Sequence, residues 1–187
     1  MAKRNRRNGQ YAGDNVPGNP YVKFLRRKRA AATIAGGGGD TFTEIETGCF
    51  IPSLEGDTGI AWEIHGILVF PQDLGDMPIA NDGGAVAFSL YAGQQAAVVN
   101  ADSEDFISRV DAVPDDAGGD GGTTFSLPLA MPLFGPVVVA DKYLTFHAYG
   151  HANAAAGMTF VVDIWYAPLP ADRVTLIAML AAAGRID

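Results

Sequence analysis

The chain has 187 residues, 48% of them hydrophobic, which is enough for one domain with a proper core and a tight fit for two. Its net charge is -8, and its single cysteine, Cys49, excludes an intrachain disulfide and a zinc site built on several thiolates. No apolar run reaches the ~18 residues of a spanning helix, because Ser126 to Ala140 is interrupted by Pro128, Pro132 and Pro136.

Residues 1 to 29 hold nine basic groups, Lys3, Arg4, Arg6, Arg7, Lys23, Arg26, Arg27, Lys28 and Arg29, against one acid, Asp14, a local charge of +8. The remainder holds four basic groups, Arg109, Lys142, Arg173 and Arg185, against twenty acids, or -16. Charge segregated in this way predicts a cationic tail for a polyanion, joined to a body with another task. Residues 1 to 20 are polar and punctuated by Gly9, Gly13, Pro17, Gly18 and Pro20, too little apolar surface to offset the entropy of ordering. In Tyr21 to Ala35, Val22, Phe24 and Leu25 can share one side of a short helix with Lys23 and Arg26 to Arg29 on the others. Ala30 to Ala35 is too short and weakly apolar for a signal-peptide core. Gly36 to Gly39 has neither the lysine nor the following helix of a phosphate-binding loop and reads as a flexible hinge.

From Thr41 the apolar residues alternate, the signature of strands with one buried face. Ile60, Trp62, Ile64, Leu68 and Phe70 are expected on one side of Gly59 to Pro71, with Glu63 and His65 on the other. Val86, Phe88 and Leu90 share a face, as do Phe160, Val162, Ile164 and Tyr166, opposed by Asp163. Weaker segments bring the count to eight strands, near 41 to 51, 59 to 70, 85 to 92, 104 to 113, 123 to 131, 136 to 140, 142 to 149 and 158 to 167. Glycine, proline and aspartate separate nearly all of them. The fold class is therefore all-β, an eight-stranded jelly-roll sandwich, with an immunoglobulin-like sandwich left open by strand count alone. Cys49 falls in a strand-like stretch and is expected as a small core residue. Beyond Pro168 and Pro170, Asp172 can cap a helix through Ala183, terminated by Gly184. Val174, Ile177, Leu180 and Ala181 form its apolar stripe, docked on the same sandwich or gripping a neighbouring subunit. The organisation is a basic arm and hinge over 1 to 40, a sandwich over 41 to 170 and a helix over 171 to 187.

Catalytic constellations are not found. There is no Gly-x-Ser-x-Gly elbow, and Cys49 has no catalytic context. His147 and His151 are four apart, but strand-like neighbours would separate them by roughly 13 Å, too far for one ion without a turn. Asp111 to Gly122 is acid-rich without the spacing of an EF-hand and reads as a solvated loop. No catalytic residue, metal or cofactor is assigned. The body keeps one lysine, Lys142, among many acids, a surface whose self-repulsion fades as salt shortens the Debye length from about 10 Å at 0.1 M to about 3 Å at 1 M. That composition fits a salt-adapted protein. The arm suits nucleic acid through counterion release, or anionic lipid with shallow insertion of Phe24 and Leu25. Lys23 to Arg29 also reads as a nuclear-localisation patch.

Together the basic arm, glycine hinge, alternating strands and the closing pair in Pro136 to Ala167, PVVVADKYLTFHAYGHANAAAGMTFVVDIWYA, resemble the small single jelly-roll capsid proteins of icosahedral viruses. The acidic, lysine-poor body is most similar to the small major capsid proteins of tailless haloarchaeal viruses with an internal membrane. The resemblance implies a structural subunit of the virion shell, upright among copies of itself and sister capsid proteins, its arm reaching inward to membrane or genome. The rival readings are a carbohydrate- or ligand-binding sandwich, for which His65, His147 and His151 are the available metal-binding histidines, and a cellular nucleic-acid-binding protein.

Overall fold

The computed structural model describes residues 25–35, 38–54, 56–72, 85–112, 128–150 and 157–182, and the alternating segments among them form strands. In chain order these are β1 (Arg26–Thr33), β2 (Asp40–Glu46), β3 (Thr58–Pro71), β4 (Val86–Ala92), β5 (Phe106–Ala112), β6 (Leu129–Met131), β7 (Val137–Val139), β8 (Tyr143–Gly150) and β9 (Thr159–Asp172), followed by the helix α1 (Arg173–Ala182). One sheet has the order β1-β9-β3-β6, with β7 also on β3, and the other the order β2-β8-β4-β5. All pairings are antiparallel. β6 meets β3 at Ile67 to Val69 and β7 meets it at Trp62 to Ile64, so they are two halves of one strand broken by Pro132 to Pro136. Counted in this way the described residues form eight strands, and the partners run first with last: β1 with β9, β2 with β8, β3 with β6 and β7, β4 with β5. That is a long hairpin rolled into two sheets, the jelly roll, and not the immunoglobulin order.

The eight strands differ in membership from those read in the sequence. The helix expected within Tyr21 to Ala35 is a strand from Arg26 onward, so the sandwich starts at Arg26 rather than at residue 41. Alanine, arginine and lysine are good helix formers, but each preference amounts to less than about 1 kcal/mol per residue and yields to tertiary context, and here eight consecutive residues of β1 pair with β9, from Arg26 opposite Tyr166 to Thr33 opposite Thr159. Ala32 is buried in the core and Ala30 packs against it. Tertiary pairing outweighs local propensity here.

A second difference lies in β3. The register with β9 shifts between Ile64 and Gly66, making His65 the extra residue of a β-bulge. One inserted residue reverses the facing of everything after it. Trp62 and Ile64 therefore enter the core before the bulge, and Ile67 and Val69 after it. Leu68 and Phe70, expected to face inward, are on the outer face.

Between the sheets, the Phe88 ring lies 4.7 Å from Phe160 and 6.0 Å from Phe146, and Trp62 stacks on Tyr166 at 3.6 Å. Cys49 joins this core outside any strand. β9 outruns β1 by six residues, leaving one side of Ala167 to Asp172 unpaired with β1. Pro168 and Pro170 lie opposite Trp62 and Ile60 of β3. Having no N–H to donate, they suit positions whose amide would point at this open edge, and they blunt it against stray pairing.

α1 follows β9 without a loop. Asp172 Oδ1 accepts from the Thr175 amide at 2.9 Å, and its other oxygen accepts from the Thr175 hydroxyl at 2.9 Å, the expected cap. The expected termination at Gly184 lies outside the described residues. The helix packs on the sandwich of its own chain, but the buried stripe is Leu176 and Leu180, set on Ala61, Ala140, Val138 and Leu169. Val174 and Ile177, expected in the stripe, face outward and are exposed, because the direct strand-to-helix junction fixes the rotation of the helix. Among the described residues no helix is long and apolar enough to cross a membrane.

Gly59 sits where these parts meet. A Cβ there would lie 2.5 Å from the Phe50 carbonyl and 2.6 Å from both Leu176 Cδ1 and Pro52 Cδ, whereas Gly66 has open space around it. Gly59→Ala is expected to destabilise the fold by about 1–3 kcal/mol in urea denaturation through overpacking, with Gly66→Ala changing stability by less than half as much.

Candidate functional site

Of the nine cations singled out in the sequence, Lys3, Arg4, Arg6, Arg7 and Lys23 lie outside the described residues. The other four are on β1, the edge strand of its sheet. Arg26, Arg27 and Arg29 are exposed and Lys28 is half-buried. Alternation sends Arg27 and Arg29 to the outer face, where they meet Asp163, opposite Arg29 in the ladder.

The Asp163 side chain is only 6% exposed, and Arg29 grips it with two charge-assisted hydrogen bonds, Nε to Oδ1 and Nη2 to Oδ2, both 2.7 Å. Arg27 Nη1 is 3.7 Å from the same carboxylate. The bidentate bond holds the Arg29 guanidinium above its usual pKa. Both cations are also laid over rings, Arg29 5.1 Å from the Phe70 centroid and Arg27 5.9 Å from that of Trp165. The bulge that turns Phe70 outward thus supplies a ring for Arg29. Arg29 is committed to the buried carboxylate and Arg27 shares it at ion-pair distance, while both side chains stay about half exposed. Sequence reasoning missed this pairing. The available signal was an aspartate flanked by valine and isoleucine in FVVDIW, which cannot be buried without a cationic partner.

Strand direction fixes where the basic segment leaves the body. The connections 47–57, 93–105 and 140–142 lie at one end of the sandwich, and those joining β1 to β2, β3 to β4, β5 to β6 and β8 to β9 lie at the other. Arg26, the first residue of β1, pairs with Tyr166 midway along β9, and the start of β1 points toward the former end.

The outer face of the second sheet carries a separate polar cluster. His147 on β8 is 2% exposed. Its Nε2 lies 2.7 Å from Asp40 Oδ1 on β2, its Nδ1 lies 3.4 Å from the Tyr91 hydroxyl on β4, and its ring stacks on Phe42 at 4.7 Å. Ser89, its neighbour across the ladder, completes a serine, histidine and aspartate set by residue type. The Ser89 hydroxyl is fully buried and makes no hydrogen bond in the described structure. Both imidazole nitrogens face other groups, so this is not a hydrogen-bonded catalytic triad. His151 lies outside the described residues. His65 Nε2 is 3.2 Å from Glu63 Oε2 but without hydrogen-bond geometry. Of the acidic loop, Asp111 is described and is paired with Arg109 at 2.7 Å, while Asp115, Asp116 and Asp120 lie outside the described residues. Among the described residues no group of three or more histidine, cysteine or acidic side chains can hold a metal ion.

No protein-family model and no curated protein sequence matches the chain. Solved structures do. VP1 of Trichodysplasia spinulosa-associated polyomavirus, in complex with sialylated precision glycooligomers, is similar with a TM-score of 0.50 and 7% identity, covering 83% of this chain and 97% of that one. The same VP1 with GM1 oligosaccharide gives 0.48 and 8% over 83% and 97%. At such identity the likeness is one of fold, and it agrees with the jelly-roll strand order.

Two outcomes follow from these environments. Arg29→Ala should lower the thermal midpoint more than Arg27→Ala, because only the former strips the buried Asp163 of its bidentate partner; Arg29→Met with Asp163→Leu should recover most of the loss. Burial pushes the Cys49 thiol up to about 11, against the opposing pull of the Thr47 hydroxyl. With the folded value raised, its contribution to stability is complete below the unfolded value near 9.0 and is lost as pH rises toward 11. Iodoacetamide should accordingly modify Cys49 slowly in the folded chain at pH 8 and quickly in denaturant.

Proposed function

We propose that the chain is a structural subunit of a viral shell, located in the virion, assembling with copies of itself and with sister capsid proteins into an icosahedral coat. The observation that carries this reading is the division of charge across a jelly roll, +8 over residues 1 to 29 and -16 over the rest of the chain. The fold likeness to VP1 of a polyomavirus, a viral capsid protein, supports it. The arm cations Lys3, Arg4, Arg6, Arg7 and Lys23, with Arg26, Arg27 and Lys28 at the start of the sandwich, neutralise an internal polyanion, anionic membrane or genome. Sandwich edges and loops make the subunit contacts, and no residue has a catalytic role. The lysine-poor surface fits a coat of the haloarchaeal internal-membrane type, in which high salt screens repulsion between subunits.

A second reading, a glycan-binding sandwich, draws on the sialylated glycans with which VP1 is described. Removing residues 1 to 25 separates the two, since a glycan binder keeps its ligand without the arm.

Electron microscopy and mass photometry of the purified chain in molar salt, alone and with its virion partners, should show ring-like or closed assemblies that dissociate as salt is lowered. A strictly monomeric species at every concentration and salt level contradicts the proposal.

A further inference from the structure

Two edge strands of opposite charge flank one side of the sandwich. β1 ends the first sheet and β2 ends the second. These consecutive strands pack together and are tied where Thr41 Oγ1 donates to the Thr33 carbonyl at 2.9 Å. β1 carries four cations and no acid, whereas β2 carries three acids, Asp40, Glu44 and Glu46, and no cation. The strands on the opposite side show no such contrast, since β5 mixes Arg109 with Asp111 and β6 and β7 are uncharged. Among the described residues no ion pair joins β1 to β2.

The backbone shows which residues turn toward the open edge. The Ile34 amide donates to the Met158 carbonyl at 2.8 Å and its own carbonyl accepts from Gly157 at 3.0 Å. Both groups of one residue in an antiparallel ladder point the same way and the next residue points the other. Even-numbered residues of β1 therefore face β9, and Arg27 and Arg29 turn their amides and carbonyls outward. In β2 the Thr47 amide donates to the Lys142 carbonyl at 3.0 Å, so odd-numbered residues face β8 and Phe42, Glu44 and Glu46 turn outward. The same residues send their side chains to the outer faces, as Asp163 beneath Arg29 and the buried Ile45 show. Counted back from the bond between Thr41 and Thr33, Arg27 and Arg29 come within about one residue, ~3.3 Å, of the level of Glu46 and Glu44.

We propose that this side pairs with the same side of a second copy about a twofold axis parallel to the strands, with β1 of each chain antiparallel to β2 of the other, Arg27 opposite Glu46 and Arg29 opposite Glu44. Such an axis sets the first sheet of one chain edge to edge with the second sheet of the other and turns their outer faces the same way, so the facing side chains meet on one surface. The contact is isologous and closes with two identical seams. Opposite charges across a ladder attract, and like charges directly opposite repel. β1 against β1 sets cation on cation, and β2 against β2 sets acid on acid. The charges that guard each edge against its own kind thus leave this one pairing open. Glu46 is exposed, and Glu44, also exposed, is held only by the Gln94 side-chain amide at 2.9 Å among the described residues. A polyanion would meet β1 but has no use for the acids of β2. Repulsion between the acidic bodies acts over the Debye length and fades with salt, whereas ion pairs closed within an interface are screened much less.

The inference deepens the self-assembly of the proposed function and rests on it for the identity of the partner; Arg27 then serves the subunit contact, while Arg26 and Lys28 keep the internal polyanion. Sedimentation velocity of the full chain in molar salt, over a concentration series, tests it. Arg27→Glu and Glu46→Arg should each weaken pairing by about tenfold or more, because each sets like charges opposite one another in both seams. Mixing the two variants should restore pairing, since one seam then joins the two reversed charges and the other joins the native pair. The chain carrying both substitutions should likewise pair with itself. Circular dichroism checks each fold, and Glu46→Arg, at an exposed residue without an ion pair among the described residues, reads the contact independently of the Asp163 site. The proposal is overturned if Glu46→Arg pairs like the parent, if the mixture of folded variants stays unpaired, or if Arg27→Glu alone loses pairing. Pairing that survives both reversals overturns this inference alone; pairs that never grow into larger assemblies overturn the shell reading alone; a strictly monomeric parent overturns both.

Discussion

The antiparallel ladder between β3 and β9 is the constraint on which the other features depend. It joins thirteen residue pairs, from Thr58 opposite Asp172 to Pro71 opposite Phe160, and is the longest pairing in the fold. Its central stretch carries the core residues Trp62, Ile64, Val162 and Ile164. One flank of β9 gives β1 its place, and one flank of β3 accepts the two halves of the broken strand. Its overhanging tip carries α1. The bulge at His65 turns Phe70 outward beneath Arg29 without interrupting the ladder.

The charge of the molecule is organised around the same ladder. A buried carboxylate on β9 is tolerable only because β1 brings a guanidinium to it with two short hydrogen bonds. Part of the basic segment, Arg26 to Arg29, therefore belongs to the first strand of the sandwich. With Arg26 to Arg29 counted in the body, the arm carries five basic groups and one acid, and the sandwich eight basic groups and twenty acids. The body still repels its own copies in dilute salt, and the arm still bears the opposite sign. The charge asymmetry persists, with a cationic edge strand on the body.

Much of this was legible in the sequence wherever a strand has one apolar face. β4 and β9 alternate over their core-facing residues, and Val86, Phe88, Leu90, Phe160, Val162 and Ile164 give their buried faces correctly. β3 was recognised as a strand, but its second half was faced the wrong way, since a bulge leaves no mark in composition when the inserted residue is an ordinary histidine. β1 was hidden because RRKRAAAT has neither alternation nor β-branched residues before Thr33; what makes it a strand is a partner more than a hundred residues away. The helix cap at Asp172 was legible because it is local, and the face of the helix was not, because Leu176 and Leu180 are selected by the shape of the sheet beneath them. The cationic residues could be named from charge alone, but not the commitment of Arg29 to Asp163.

The central claim, that the basic segment enters the fold as an ordered edge strand held by β9, is tested most directly by amide hydrogen exchange in the intact chain. The amides of Arg26 to Thr33 that point toward β9 should be protected to the level of those in β9 itself. Free exchange through Thr33, with protection starting only at β2, would contradict it.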